Sequence, residues 1–227
     1  MAKCNQFLKT LNKLDLKMKQ MRTQSEEVRL FYDVGLFPDT YDRALDLEET
    51  MEQAVLLSRA LPAYTGAPYA ERAVEDRIQA TVPVNIGFTE EGWFTVQIPL
   101  LLPKKNRGSA EYIRAILYPA MRDFFMEKEP VRFTDCVLIY RHVYRRDRPE
   151  RRMRDHDNIE INMVSDIVAM YVMPDDGPQV CSHYYCSAGG TAERTEVYVV
   201  PKQEFQKWLE WETTIPDKGV LLNENQA

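Results

Sequence analysis

Apolar residues recur at alternating steps of three and four near the start of the chain. Cys4, Phe7, Leu11, Leu14, Met18, Met21, Ser25, Val28 and Tyr32 form a heptad seam, which predicts a helix over residues 4–33. Gly35-Leu36-Phe37-Pro38-Asp39 interrupts the pattern, with Pro and Asp supplying a stop and a new N-cap. A second stripe, Ala44, Leu47, Met51, Ala54 or Val55, and Leu61, predicts a helix over residues 40–61 that ends ahead of Pro62. The two form a helical hairpin. The same seam suits either packing within the chain or pairing with a second copy.

Residues 62–77, with Pro62, Gly66 and Pro68, read as a linker and a short helical turn. From Ile78 the period shortens to two. Residues 78–88 and 93–102 are strand-like around a turn at Thr89–Gly92, and Pro83 and Pro99 favour edge or end positions. A helix over residues 109–127 follows, with Ser109 as N-cap and a kink or boundary at Pro119. Next come a strand over residues 131–144 and a helix over residues 158–172. Strands near residues 179–185 and 195–200 are joined through Ser187-Ala188-Gly189-Gly190, and a helix over residues 201–211 closes the pattern. This β-α-β-α-β-β order predicts an α+β domain on a mixed sheet over residues 78–212. It is preceded by the hairpin and linker of residues 1–77 and followed by a loose tail, residues 213–227.

Composition narrows the classes. The chain has 227 residues, 44% hydrophobic and 28% charged, which is ordinary for a globular protein and excludes a collagen-like or wholly disordered one. No run approaches the roughly 18 apolar residues of a membrane span. The N-terminus is interrupted by lysines, unlike a signal peptide. Four scattered cysteines, Cys4, Cys136, Cys181 and Cys186, fit a reduced, cytoplasmic protein rather than a disulfide scaffold. Net charge is −6, so bulk attraction to nucleic acid is excluded and only a local basic patch could serve.

Such a patch exists. Residues 141–154, RHVYRRDRPERRMR, hold seven arginines against Asp147 and Glu150, and arginine suits bidentate contact with phosphate oxygens. Directly after it stand Asp155-His156-Asp157-Asn158, and beyond the next helix Asp175-Asp176-Gly177. Each piece has a local use: Asp157 with Glu160 fits a capping box, and Asp175-Asp176-Gly177 fits a turn. Together they suggest a site. In extended backbone Asp155 and Asp157 point to one side, and a strand beginning at Asp175 or Asp176 beside the first would bring the carboxylates together. A divalent cation would relieve their repulsion, and Mg²⁺ prefers such oxygen ligands. Of Cys181, His183 and Cys186, only the first two share a strand face, which argues against zinc. His156 falls on the face opposite the two aspartates, and no phosphate-binding glycine loop or GxSxG is present.

Residues 93–200 resemble the RusA-type Holliday-junction resolvases of phages and prophages. The likeness rests on Pro103-Lys104-Lys105-Asn106-Arg107 ahead of Ser109-x-x-Tyr112, the arginine-rich stretch running into Asp155-x-Asp157-Asn158, and Asp175-Asp176, with Asp157 and Asp176 nineteen residues apart as in that family. The resemblance implies a dimeric, Mg²⁺-dependent endonuclease that cuts branched DNA. By resemblance Asp155, Asp157 and Asp176 are catalytic metal ligands with Asp175 beside them. Arg145, Arg146, Arg148, Arg151, Arg152, Arg154 and Asn158 would face DNA. The family's lysine one helical turn after the Asp-x-Asp-Asn motif is replaced here by Ile161 and Asn162, and the family has no counterpart of residues 1–77. A catalytically silent nucleic-acid-binding or protein-interaction module of the same fold is the alternative.

Overall fold

A computed structural model describes residues 2–106, 108–126, 128, 131–148 and 153–214. The chain divides into two compact units, Met1–Asp76 and Arg77–Ala227.

The first unit is the hairpin of α1 (Ala2–Asp33) and α2 (Phe37–Ala60), followed by a 3-10 turn at Pro62–Thr65. Gly35 turns the chain with φ 77°, a conformation glycine adopts without strain. α2 starts three residues earlier than the pattern suggests. Pro38 sits in its first turn, where a missing N–H costs nothing, and the Thr40 N–H already reaches the Leu36 carbonyl at 2.9 Å. The seam also differs. Phe7, Leu11, Leu14, Met21 and Val28 turn inward, but Met18, Ser25 and Tyr32 are exposed, and Lys17, buried Gln24 and Phe31 take their places. A straight helix of 3.6 residues per turn drifts off a strict seven-residue repeat, which accounts for the slip. On α2 the inward positions are Leu47, Thr50, Ala54 and Leu57, while Ala44 and Met51 are exposed. Arg43 bridges the helices to Glu27 at 3.0 Å.

The second unit begins inside α3 (Ala70–Thr81), which corrects the strand expected from Ile78. Val74 and Ile78 are one helical turn apart and turn inward, so the apparent alternation of Ile78, Ala80 and Val82 was incidental. The sheet then forms from β1 (Asn85–Phe88), β2 (Phe94–Ile98), β3 (Cys136–Arg145), β4 (Cys181–Gly190) and β5 (Arg194–Pro201), in the order β1-β2-β5-β3-β4. All neighbours are antiparallel except β3 and β4. That parallel pair needs a crossover, which a 3-10 turn (His156–Asn158) and α5 (Asn162–Val172) supply. α4 (Ser109–Phe125) precedes β3 and continues past buried Pro119, which is therefore not a boundary. Gly108, with φ 103°, caps it, and Ser109 is its first residue rather than its cap. Ser187–Gly190 lie within β4, so Thr191–Glu193 make the turn to β5. A 3-10 turn (Lys202–Glu204) leads into α6 (Phe205–Thr214).

The architecture is α+β, a helical hairpin followed by a five-stranded mixed sheet with interspersed helices. Each face of the sheet buries its own layer. On one, Leu138 and Tyr140 of β3 join Phe94, Val96, Ile113, Leu117, Val164 and Val168. On the other, Val137 and Ile139 join Trp93, Tyr198, Val200 and Trp208 of α6. Alternation along β3 sends neighbouring residues into different layers.

Candidate nucleic-acid site at the turn between β3 and α5

β3 carries the chain to Arg145, so the first residues of the arginine run belong to a strand and not to a loop. Arg141 is 1% exposed. Its Nη1 donates to Glu196 Oε2 at 2.8 Å and its Nε to Glu212 Oε1 at 3.2 Å, and Glu196 also accepts from Arg194 and the Tyr198 hydroxyl. Such burial is tolerated only for a paired, hydrogen-bonded charge. Arg145 is exposed and donates to Asp147 at 3.0 Å, Arg148 pairs with Glu193, and Arg146 is exposed with its N–H on the Gly190 carbonyl. Arg151 and Arg152 lie outside the described residues.

The next segment departs from the expected geometry. Asp155 is extended, with φ −66° and ψ 136°, but His156–Asn158 form a 3-10 turn and α5 does not begin until Asn162. At three residues per turn, Asp155 and Asp157 are not aligned by strand alternation. Both are exposed, as is Asn158. Glu160, not Asp157, serves the helix start: its Oε1 accepts the Met163 N–H at 3.4 Å, and its Oε2 meets Ser109 Oγ at 2.9 Å.

What fixes this turn is a stretch some fifty residues earlier. Lys104 and Ile159 form an antiparallel bridge. The Lys105 N–H donates to the Asn158 carbonyl at 2.9 Å, the Glu160 N–H to the Pro103 carbonyl at 2.9 Å, and the Arg154 guanidinium to the Leu102 carbonyl. Leu102–Lys105 is thereby zipped along Arg154–Glu160. Lys104, Lys105 and Arg154 stand beside the turn that carries Asp155 and Asp157.

The later aspartates divide. The Asp175 carboxylate turns onto its own loop: Oδ1 accepts the Asp176 N–H at 3.0 Å, and Oδ2 lies 2.7 Å from where a Cβ at Gly177 would stand. Asp176 instead stands near Asp166 of α5. Asp166 is exposed, and partial desolvation, then the nearby Asp176, raise its carboxyl above the ordinary range, with Glu160 adding to the effect. Asp166 lies outside the aspartate motifs, and its signal in the sequence is a lone acid inside the largely apolar run Met163–Val172. Among the described residues no three His, Cys, Asp or Glu side chains are grouped so as to hold a metal ion. The Asp166–Asp176 pair nonetheless fits Mg²⁺, which is usually held by one or two carboxylates and keeps several waters.

Behind the turn lies a histidine face that the sequence did not reveal. His156 Nε2 is 3.0 Å from Ser187 Oγ, and its ring stacks on His142 at 5.8 Å. His142 is 1% exposed, and among the described residues neither of its ring nitrogens has a partner. Burial, with His156 and Arg154 adding positive charge, lowers its pKa to about 4.

One family model spans nearly the entire chain: a family of unknown function, DUF6100, matches residues 3–225. The chain belongs to this family. Its model covers the hairpin and the sheet together, so the DUF6100 pattern includes residues 3–77, part of the stretch that the resolvase resemblance left aside. No curated protein matches the chain.

Proposed function

We propose that the chain is a structure-specific endonuclease, related to the RusA-type resolvases, that hydrolyses phosphodiester bonds in branched DNA with Mg²⁺ as a homodimer. The observation that supports this most is the zipper of Leu102–Lys105 along Arg154–Glu160. It sets Lys104, Lys105 and Arg154 next to Asp155 and Asp157, and phosphodiester cleavage needs cations for the phosphate beside carboxylates for a metal. Asp176 with Asp166 would hold Mg²⁺ directly, and Asp155 and Asp157 of the turn would act on the waters the ion keeps. When bound, the ion supplies charge neutralisation and a water of lowered pKa. Lys104, Lys105 and Arg154 grip the scissile phosphate without reading sequence. Arg146 and Asn158 extend the backbone contact.

A synthetic four-way junction tests the proposal. Cleavage is measured with Mg²⁺, and binding with Ca²⁺ in its place, for the wild type, Asp157→Asn and Asp176→Asn. The expected result is junction cleavage that drops about 100-fold or more in each variant while binding stays or tightens. Cleavage unaffected by either substitution, or absent from the wild type, overturns the nuclease reading. A second reading, a silent junction-binding module, is favoured by one observation: Ile161 and Asn162 stand where the resolvases carry a lysine, and Ile161 is only 7% exposed and packs into the core. Salt-sensitive binding without cleavage supports it.

A further inference from the structure

Cys136 opens β3 and Cys181 opens β4, and the parallel register places the two directly opposite each other. Both are buried and both face the layer beneath α5. Adjacent strands lie about 4.8 Å apart, inside the roughly 4.4–6.8 Å window of Cα separations a disulfide spans. The two side chains share the same buried layer beside each other. Cys136 Sγ is further enclosed by Met173 Sδ at 3.4 Å and the Val180 carbonyl at 3.6 Å. Cys181 is the outer member of the pair. It sits on the sheet's edge strand, 5% exposed, with exposed Ser182 and His183 immediately after it.

We infer that Cys136 and Cys181 are a peroxide-sensitive dithiol, with Cys181 the attacking sulfur and Cys136 the resolving one, closing to a disulfide across β3 and β4. The electrostatics agree with that division. The neighbouring Cys136 thiol, opposed by burial and helped by His183, lowers the Cys181 pKa, while Cys181 and burial push the Cys136 thiol up. A thiolate is the nucleophile and a buried neutral thiol is inert until its partner is oxidised. In the first step the Cys181 sulfur forms an S–O bond as the peroxide O–O bond breaks. Cys181 is oxidised by two electrons to the sulfenic acid, and the other oxygen leaves as water after taking a proton. In the second step the Cys136 sulfur attacks Cys181: the S–S bond forms, the S–O bond breaks, and the Cys136 proton departs with the second water. One peroxide is consumed and two waters are released.

Cys186 is the internal control. It lies on the opposite face of β4, and burial, then Glu212, push its thiol up to a value less suited to reaction, without a facing cysteine in the register. The experiment treats the full-length reduced protein with stoichiometric hydrogen peroxide, quenches it under denaturing alkylation and maps all four cysteines by peptide mass spectrometry. The expected product is a single linkage between the Cys136 and Cys181 peptides, with Cys181 consumed about tenfold faster than Cys186. In Cys136→Ser, Cys181 stops at a sulfenic acid that dimedone captures. In Cys186→Ser the linkage still forms. A linkage to Cys4 or Cys186, Cys181 reacting no faster than Cys186, or no disulfide at all overturns the inference, and the wild-type map alone decides it if a variant fails to fold. The result is independent of any nuclease activity.

Discussion

His142 and Arg141 are neighbours on β3 with opposite solutions to burial. His142 is neutral in the fold, its pKa lowered to about 4 by burial and by His156 and Arg154. The unfolded chain takes up a proton near pH 6.5, so between that pH and about 4 the unfolded state binds more protons and stability falls with acid. The urea midpoint should therefore drop across that window, by an amount equivalent to about 3 kcal/mol, and level off below it. His142→Leu should flatten this acid limb, and a limb unchanged in that variant would refute the assignment. Arg141 stays charged because Glu196 and Glu212 meet it. Glu196→Ala leaves Arg141 buried and underpaired and also strips the Tyr198 hydroxyl of its acceptor, which should cost about 3–5 kcal/mol in chemical denaturation. Neither role could be read from the sequence. Both residues stood in or beside a run of arginines, and burial of a charge depends on a glutamate fifty-five positions away.

At the level of elements, periodicity located both hairpin helices, α4, α6 and most strands, because each buries one stripe or one face. It failed where a distant partner decides the outcome. α5 starts at Asn162 and not Asn158 because the preceding residues are taken up by hydrogen bonds to Leu102–Lys105. The Asp-x-Asp-Asn motif was legible; its turn conformation was not. Ser109 couples the two regions through Glu160, a buried contact of 2.9 Å. Ser109→Ala should leave the Glu160 carboxylate short of a partner and cost about 1–3 kcal/mol. Hydrogen exchange should then quicken at Asn158–Met163 more than within β3. Uniform quickening would show that Ser109 does not hold the turn.

Taken whole, the molecule is acidic, with net charge −6, and Arg145 at the end of β3 and Arg148 just beyond it are matched to Asp147 and Glu193. On the proposed function, contact with DNA would fall to Lys104, Lys105, Arg146 and Arg154 near the aspartate turn. About four phosphate contacts give a slope near −4 in a plot of log affinity against log salt. Lys104→Ala with Lys105→Ala should reduce the slope by about 2, and a slope near zero in the wild type would remove nucleic acid as the ligand. Among the described residues no helix is long and apolar enough to cross a membrane.

β3 also bears on how this protein can change over evolution. Its even-numbered residues, Cys136, Leu138, Tyr140 and His142, serve the side that holds sulfur, imidazole and the aspartate turn, while Val137, Ile139 and Arg141 serve the ion pair and the tryptophan layer. Gaining or losing one residue within this strand would exchange the two sets wholesale, driving a guanidinium into one layer and an imidazole into the other. Length changes here are confined to steps of two, whereas the inventory on either side is free to diverge without disturbing the other.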